Sequence, residues 1–139
     1  MSRATGTFEV KMTPQPSDDY ADGKSLARLA LDKTFQGDLA ATSKGQMLSA
    51  MGHAKGSAGY VAIEQVTGAL AGREGSFVLQ HSGSMDRGAP SLALAVVPDS
   101  GTEGLAGLSG TMAIMIADGT HSYQFDYTFA ADLPSGQSV

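Results

Sequence analysis

Apolar and polar residues alternate along most of this chain, and a period of two is typical of a β-strand that buries one face. In residues 4–12, Phe8 and Val10 fall on one face while polar side chains fall on the other. Residues 26–35 and 91–97 alternate in the same way. Helix-like spacing is scarce, so the sequence predicts an all-β fold. The middle of the chain fits less well.

That middle part reads in two ways. Residues 38–50 predict a weaker strand that breaks at Lys44-Gly45. Residues 46–54 could instead form one helical turn.

One hairpin can be assigned with its register. Asp118-Gly119 suits a two-residue turn, because both residue types tolerate positive φ. This turn sets four pairs on one mostly apolar face: Ile116 with His121, Ile114 with Tyr123, Met112 with Phe125, and Gly110 with Tyr127. The opposite face carries small or polar residues, so turn chemistry and alternation agree.

A second hairpin is predicted around Gly72-Arg73. With that turn, three pairs share a face: Val66 with Leu79, Gly68 with Phe77, and Glu64 with His81. Tyr60 joins the same face. One extra loop residue would move every side chain of one strand to the other face.

About eight strands with short connections and no crossover helix predict an antiparallel sheet. Closure into a barrel protects the sheet edges. We therefore predict a closed, lipocalin-like barrel for residues 1–132 and a C-terminal tail at 133–139, with residues 13–24 loose. A β-sandwich is the alternative. Eight strands enclose room for packed side chains or one small ligand.

Composition excludes several classes of function. The chain lacks cysteine and carries a formal charge of −5 with scattered basic residues. Nucleic acid and anionic membranes are therefore not expected partners. The missing disulfides, and a start without an apolar signal core, favour a cytoplasmic location. Phosphate-loop and serine-hydrolase motifs are absent and the three histidines are far apart, so neither a cofactor nor a metal is expected.

Charged residues on apolar faces are the candidate chemistry. Lys33, Glu64 and His81 each share a face with large apolar residues. A buried Glu64–His81 pair would satisfy both groups and could act as general base and acid, so we take these two as candidate catalytic residues. The alternative is that Glu64 and His81 lie at the solvent-exposed rim of the barrel, or form a purely structural hydrogen bond. For Lys33 the alternative is an ammonium group that reaches water.

Aromatic residues on the same faces are candidate ligand contacts. The predicted ligand-binding set is Lys33, Tyr60, Phe77, Tyr123, Phe125 and Tyr127. The two late tyrosines could equally be core residues with their hydroxyls at a mouth. Arg73, at the predicted turn, is expected to make a surface or inter-subunit contact. Met112 suits an apolar core or pocket, and Met115 a subunit interface.

Five segments carry a family resemblance: ATGTFEV (4–10), DKTFQGDL (32–39), SAGYVAIEQVTGALAGREGSFVLQHSG (57–83), VVPDSGTEGLAGLSG (96–110) and YQFDYTF (123–129). They resemble a bacterial family known as domain of unknown function 3224, over nearly the whole chain. The segment 57–83 is the most specific, while Lys11-Met12 departs from an aromatic residue in relatives. The resemblance implies an allene oxide cyclase-like barrel, an eight-stranded antiparallel fold with a pocket at one end. A shared fold transfers no activity.

Three functions remain open at this stage. The barrel could bind a small apolar molecule, which we favour, or act as an isomerase or cyclase on a flexible apolar substrate. It could also be a filled, structural barrel that mediates association into a homo-oligomer. A cavity open at one end would support the first two, and a solidly packed interior the third.

Overall fold

The computed structural model describes residues 1–16 and 25–132 and contains eight strands in one closed antiparallel barrel. This confirms the predicted fold class. The strands follow chain order around the barrel: β1 Ser2–Gln15, β2 Leu26–Gly37, β3 Leu39–Met51, β4 Ala58–Leu70, β5 Arg73–Asp86, β6 Ala89–Val96, β7 Leu108–Ala117 and β8 Thr120–Phe129. Two short 3₁₀ turns, Glu103–Leu105 and Ala130–Asp132, are the helical elements of the described residues, and neither could cross a membrane.

Strand β3 runs without interruption where the sequence predicted a break and a helical turn. Both predictions are wrong for the described residues of 38–54: Lys44-Gly45 continues the strand, and residues 46–51 pair with β2 and β4. Backbone hydrogen bonds on both edges outweigh the weak local helical preference. Residues 13–15, expected to be loose, extend β1. Pro16 follows the strand and has no regular structure, and the rest of the predicted loose segments, 17–24 and 133–139, lies outside the described residues.

Three two-residue turns close the hairpins β4–β5, β5–β6 and β7–β8. They are Ala71-Gly72, Arg87-Gly88 and Asp118-Gly119, and all six residues have positive φ between 48° and 91°. This is the backbone of a type I′ turn, whose twist matches that of the flanking strands. The predicted β7–β8 register is confirmed at all four pairs.

The predicted β4–β5 register is wrong by two residues. The turn is Ala71-Gly72, because the second central position favours glycine and Gly72-Arg73 would put arginine there. Three pairs follow: Val66 with Phe77, Glu64 with Leu79, and Ala62 with His81. A shift of two residues keeps every side chain on its predicted face, so the interior set is unchanged.

The two ends of the barrel differ. At the end that holds the Ala71-Gly72 turn, here called the closed end, a continuous apolar core fills the interior. Its largest members are Phe8, Phe35, Leu39, Leu70, Phe77, Leu79, Leu105, Leu108, Met112, Tyr123, Phe125, Tyr127 and Phe129. The Tyr123 hydroxyl accepts a hydrogen bond from the backbone N–H of Leu39 (2.9 Å) and donates toward the carbonyls of Gln36 and Leu39. This tyrosine therefore holds the β2–β3 corner.

Arg73 caps the closed end within its own chain. Its Nε donates to the carbonyl of Gly104 (2.9 Å), and its guanidinium lies 3.6 Å from the centroid of the Phe129 ring. Leu105 lies fully buried beneath the same segment. Arg73 is exposed, so this is the surface contact that the sequence predicted, made within one chain; an inter-subunit contact of Arg73 stays a prediction.

The Ala71 turn generates a stability prediction. Ala71 has a φ of 48°, which costs a residue with a Cβ about 1 kcal/mol, whereas asparagine tolerates this region. We expect Ala71→Asn to raise the free energy of unfolding by about 0.5–1 kcal/mol, measured by urea denaturation. Asp118→Asn, at the equivalent position of the β7–β8 turn, is the control and should change it little. Destabilisation by Ala71→Asn would contradict the turn assignment.

Candidate functional site

A polar cluster crosses the middle of the barrel interior, directly above the apolar core. We call Lys33, Ser43, Glu64 and His81 the Glu64 cluster; all four are buried, and Glu64 has no exposed surface. Lys33 Nζ donates to Glu64 Oε2 (2.8 Å), and Ser43 Oγ donates to Oε1 (2.8 Å). His81 Nε2 lies 2.5 Å from Oε2. The carboxylate therefore has a partner on each oxygen, as a buried charge requires.

Four neighbouring strands bring this cluster together. Lys33 on β2 lies opposite Ser43 on β3, and Gly45 on β3 lies opposite Glu64 on β4. A Cβ on residue 45 would lie 2.7 Å from the Cα and 2.8 Å from the Cβ of Glu64. The nearest atom to such a Cβ would be the backbone carbonyl oxygen of Ile63. Gly45, the residue that weakened the strand prediction, therefore lets the β4 backbone at Ile63 and Glu64 lie close to β3.

The environment of Glu64 keeps it ionised. Burial alone would raise the pKa of its carboxyl group, because a low dielectric disfavours charge. The hydrogen bond with His81, and then the charge and hydrogen bond of Lys33, outweigh this and lower the pKa from 4.5 to about 2. Two aromatic rings also make cation–π contacts with the ammonium group of Lys33. Its Nζ lies 5.0 Å from the ring centroid of Phe8 and 5.8 Å from that of Phe35.

Tyr60 lies between the Glu64 cluster and the end of the barrel opposite to the closed end, here called the open end. Its hydroxyl lies 3.4 Å from His81 Nδ1, on the ring edge opposite to the one that faces Glu64. Burial, and then the charge of Glu64, raise the pKa of Tyr60, so its hydroxyl keeps its proton at neutral pH. A Cβ on residue 83 would lie 2.4 Å from Cε1 of Tyr60. Gly83 therefore makes room for this ring.

Above Tyr60 the interior opens into a pocket, here called the mouth pocket. Its volume is about 320 Å³, and its wall is almost wholly apolar. The side chains and backbone around it belong to Met47, Ser49, Ala50, Met51, Ala58, Gly59, Tyr60, Gly83, Ser84, Met85, Pro90, Ser91 and Leu92. Met51, Met85 and Leu92 are exposed, so the pocket is open to solvent. This volume suits a small molecule.

A second, larger depression lies outside the barrel wall. It measures about 680 Å³ and is bordered by Leu48, Val61 and Ile63, each about half exposed. These side chains alternate with interior-facing residues of β3 and β4, so they point away from the lumen. This outer groove is therefore separate from the mouth pocket.

The structure separates the predicted site residues into two groups. Glu64, His81, Lys33 and Tyr60 come together around one carboxylate. The rim alternative for Glu64 and His81 is wrong because both are buried, and so is the water-exposed alternative for Lys33, whose side chain is 6% exposed. The other predicted ligand contacts, namely Phe77, Tyr123, Phe125 and Tyr127, pack in the closed-end core instead of around the mouth pocket.

Sequence reasoning missed Ser43 and the methionines of the mouth pocket. Met47 shares parity with Ser43 along β3, and the helical interpretation of residues 46–54 hid this signal. Met85 lies four residues after His81 on the same face of β5. Read as continuous strands, both segments would have placed methionine above the charged cluster.

Metal binding has no ready site within residues 1–16 and 25–132. No three histidine or acidic side chains there stand close enough to hold an ion. His81 and Glu64 are a pair, and their nearest cationic neighbour is Lys33.

Removal of the Glu64 charge should be strongly destabilising. Glu64→Gln leaves Lys33 buried without a counter-ion, which costs about 3–5 kcal/mol of the free energy of unfolding. We expect the double variant Lys33→Met/Glu64→Gln to recover part of that loss, because no unpaired charge remains. Urea denaturation at neutral pH measures both. A double variant no more stable than Glu64→Gln would contradict a paired interior charge.

Acid should remove the contribution of Glu64. Its folded pKa lies below its unfolded value, so the stabilisation is present above about pH 4.5 and is lost as the pH falls toward 2. The shift corresponds to about 3 kcal/mol. The unfolding free energy of the wild type, measured across this range, should therefore fall more steeply than that of Lys33→Met/Glu64→Gln. Asp126→Asn, which removes the exposed pair with Arg3, is the control and should keep the steep fall. Equal slopes in wild type and double variant would count against this assignment.

Comparison with known proteins gives one family and no activity. Residues 4–127 match the family described as "Protein of unknown function (DUF3224)". The chain is also similar to a crystal structure of a DUF3224 protein of unknown function from Shewanella oneidensis MR-1, with 57% identity and a TM-score of 0.86. The match covers 93% of this chain and 98% of that one. No curated protein matches the chain. With most of its length matched and its barrel shared, the chain belongs to the DUF3224 family.

Proposed function

We propose that this barrel binds a small, mostly apolar molecule in the mouth pocket. The observation that carries the proposal is an apolar cavity of about 320 Å³, open to solvent, with the hydroxyl-bearing ring of Tyr60 in its wall. Binding sites for small molecules commonly have this form: an apolar wall with a few fixed polar groups. The packed closed end supplies the rigid floor.

The methionines of the mouth pocket support a ligand of irregular shape. Met47, Met51 and Met85 border the cavity. Methionine has a flexible, polarisable side chain that adapts to different apolar surfaces. A pocket at one end of the barrel is also what an allene oxide cyclase-like architecture implies, and we include that architecture in the proposal.

Catalysis is the second candidate, favoured by the hydrogen-bonded chain from Tyr60 through His81 to Glu64. Glu64 and His81 are buried beneath Tyr60, so a proton exchanged with a bound substrate would pass through the Tyr60 hydroxyl. An isomerase or cyclase would use this chain as acid and base. Binding in the mouth pocket is common to both candidates.

Location and association remain predictions. The lack of cysteine supports a reducing, cytoplasmic setting. A homo-oligomer would most naturally use the apolar outer groove around Val61 and Ile63, because it is the larger apolar depression and lies outside the lumen.

Methionine methyl signals test the proposal directly. The chain has seven methionines. We expect N-phenyl-1-naphthylamine, an apolar fluorescent probe, to shift the ¹³C-methyl NMR signals of Met47, Met51 and Met85 on titration. Met112 lies in the closed-end core and should not shift. Its signal is the internal control.

A filling substitution gives the matched test. Ser49→Trp places a large side chain in the mouth pocket and should weaken probe binding at least about tenfold, equal to about 1.4 kcal/mol. Ser82→Trp adds the same side chain to the exposed outer face of β5 and should leave the affinity unchanged. Saturable binding that shifts none of the three pocket methionines, or that survives Ser49→Trp, would refute the pocket.

A further inference from the structure

We infer that the mouth pocket takes the anion of an apolar carboxylic acid, and that its binding draws one proton onto His81 through the Tyr60 hydroxyl. The inference rests on the proposed function and names the head group of its ligand. Two observations support it: the number of hydrogens available to the hydrogen bonds that link Tyr60, His81 and Glu64, and the signs of the charges that face the interior.

The hydrogen between His81 and Glu64 can be assigned from the chemistry of the two groups. An ionised carboxylate only accepts hydrogen bonds. The cluster keeps Glu64 ionised, so the His81 nitrogen beside it, Nε2, must carry a hydrogen and donate it. The remaining ring nitrogen, Nδ1, faces Tyr60. Its protonation state then decides which way the Tyr60 hydroxyl points.

Tyr60 has a single hydrogen to donate. When His81 is neutral, Nδ1 has no hydrogen, so Tyr60 donates inward to it and offers the pocket only lone pairs. When His81 is a cation, Nδ1–H donates to the Tyr60 oxygen, and the hydroxyl hydrogen is free to point into the pocket. One proton on His81 therefore converts the pocket from a hydrogen-bond acceptor to a hydrogen-bond donor.

Charge balance favours an anion for the donor state. On the described strands, Glu64 is the one acidic side chain that faces the interior, although the whole chain carries a net charge of −5. Lys33 already balances Glu64. A second proton on His81 therefore leaves one positive charge uncompensated beneath an apolar pocket. A ligand carboxylate at Tyr60 would restore neutrality and accept the free hydroxyl hydrogen.

The other elements around His81 add no competing charge among the described residues. Strand β4 contributes Glu64 and Tyr60, β2 contributes Lys33, and β3 contributes Ser43 through its bond to Glu64. On the remaining side, β6 places the apolar Leu94 opposite His81. The net charge of the site therefore depends on whether His81 is protonated, since Lys33 and Glu64 neutralise each other.

An alcohol of the same shape is the chemical contrast. Its hydroxyl can donate to the Tyr60 oxygen while Tyr60 still donates to neutral His81, so its binding needs no proton. The two ligands therefore differ in proton uptake, even where their apolar contacts are equal.

Calorimetry with 2-naphthoate and 2-naphthalenemethanol tests the inference. Titration in buffers of different ionisation enthalpy measures the protons taken up. We expect uptake with naphthoate to approach one where His81 of the free protein is neutral, and uptake with the alcohol to be zero. Naphthoate affinity should then fall by up to about tenfold per pH unit as the pH rises, because each bound anion requires one proton. Alcohol affinity should stay constant.

Tyr60→Phe removes the hydroxyl while keeping the ring. It should abolish proton uptake and the preference for naphthoate at low pH, and leave alcohol binding within about threefold, which is under 1 kcal/mol. Tyr127→Phe, at the closed end, is the matched control and should behave as wild type.

The outcomes separate the two proposals. Naphthoate binding without proton uptake, or uptake that persists in Tyr60→Phe, overturns the inference and leaves the mouth pocket standing. Failure of both compounds, and of N-phenyl-1-naphthylamine, to bind overturns the proposed function together with the inference.

Discussion

The buried carboxylate of Glu64 is the constraint on which the rest of this barrel depends. A charge in an apolar interior is tolerated only when each oxygen has a partner, and here Lys33, Ser43 and His81 supply them from three other strands. The strands must therefore keep one register around half of the barrel. A slip of one residue in β2 or β4 would leave an unpaired charge inside, and a slip in β3 or β5 would remove a hydrogen-bond partner of the carboxylate.

This cluster divides the lumen into two regions with different uses. Below it, aromatic rings pack against one another, as where Phe77 and Phe125 stack with centroids 5.9 Å apart. Above it, methionines border open space. Stability therefore comes from the closed end, and the mouth is free to accept a ligand without disturbing the core. Tyr60 lies between the Glu64 cluster and the mouth pocket and contacts both.

Glycines decide where the large side chains go. Gly45 admits Glu64, and Gly83 admits the ring of Tyr60. Neither position requires an unusual backbone conformation. A Cβ at residue 45 would overlap the β4 backbone at Ile63 and Glu64, and a Cβ at residue 83 would overlap the ring of Tyr60. In a barrel of this size such vacancies set the shape of the interior as much as the bulky residues do. They are invisible to a reading of one strand at a time.

Local sequence determined the strands, their faces and the β7–β8 register, because alternation and turn chemistry act between near neighbours. It also placed Lys33, Glu64 and His81 on interior faces, since parity survives even the two-residue error in the β4–β5 register. Tertiary structure alone decided that Ser43 completes the cluster, that Arg73 caps its own chain, and that Phe77 and Tyr127 belong to the core while Met47 borders a pocket. Each of these outcomes depends on how far along the barrel axis a residue lies and on its contacts with strands that are distant in sequence. The alternation within a single strand specifies neither.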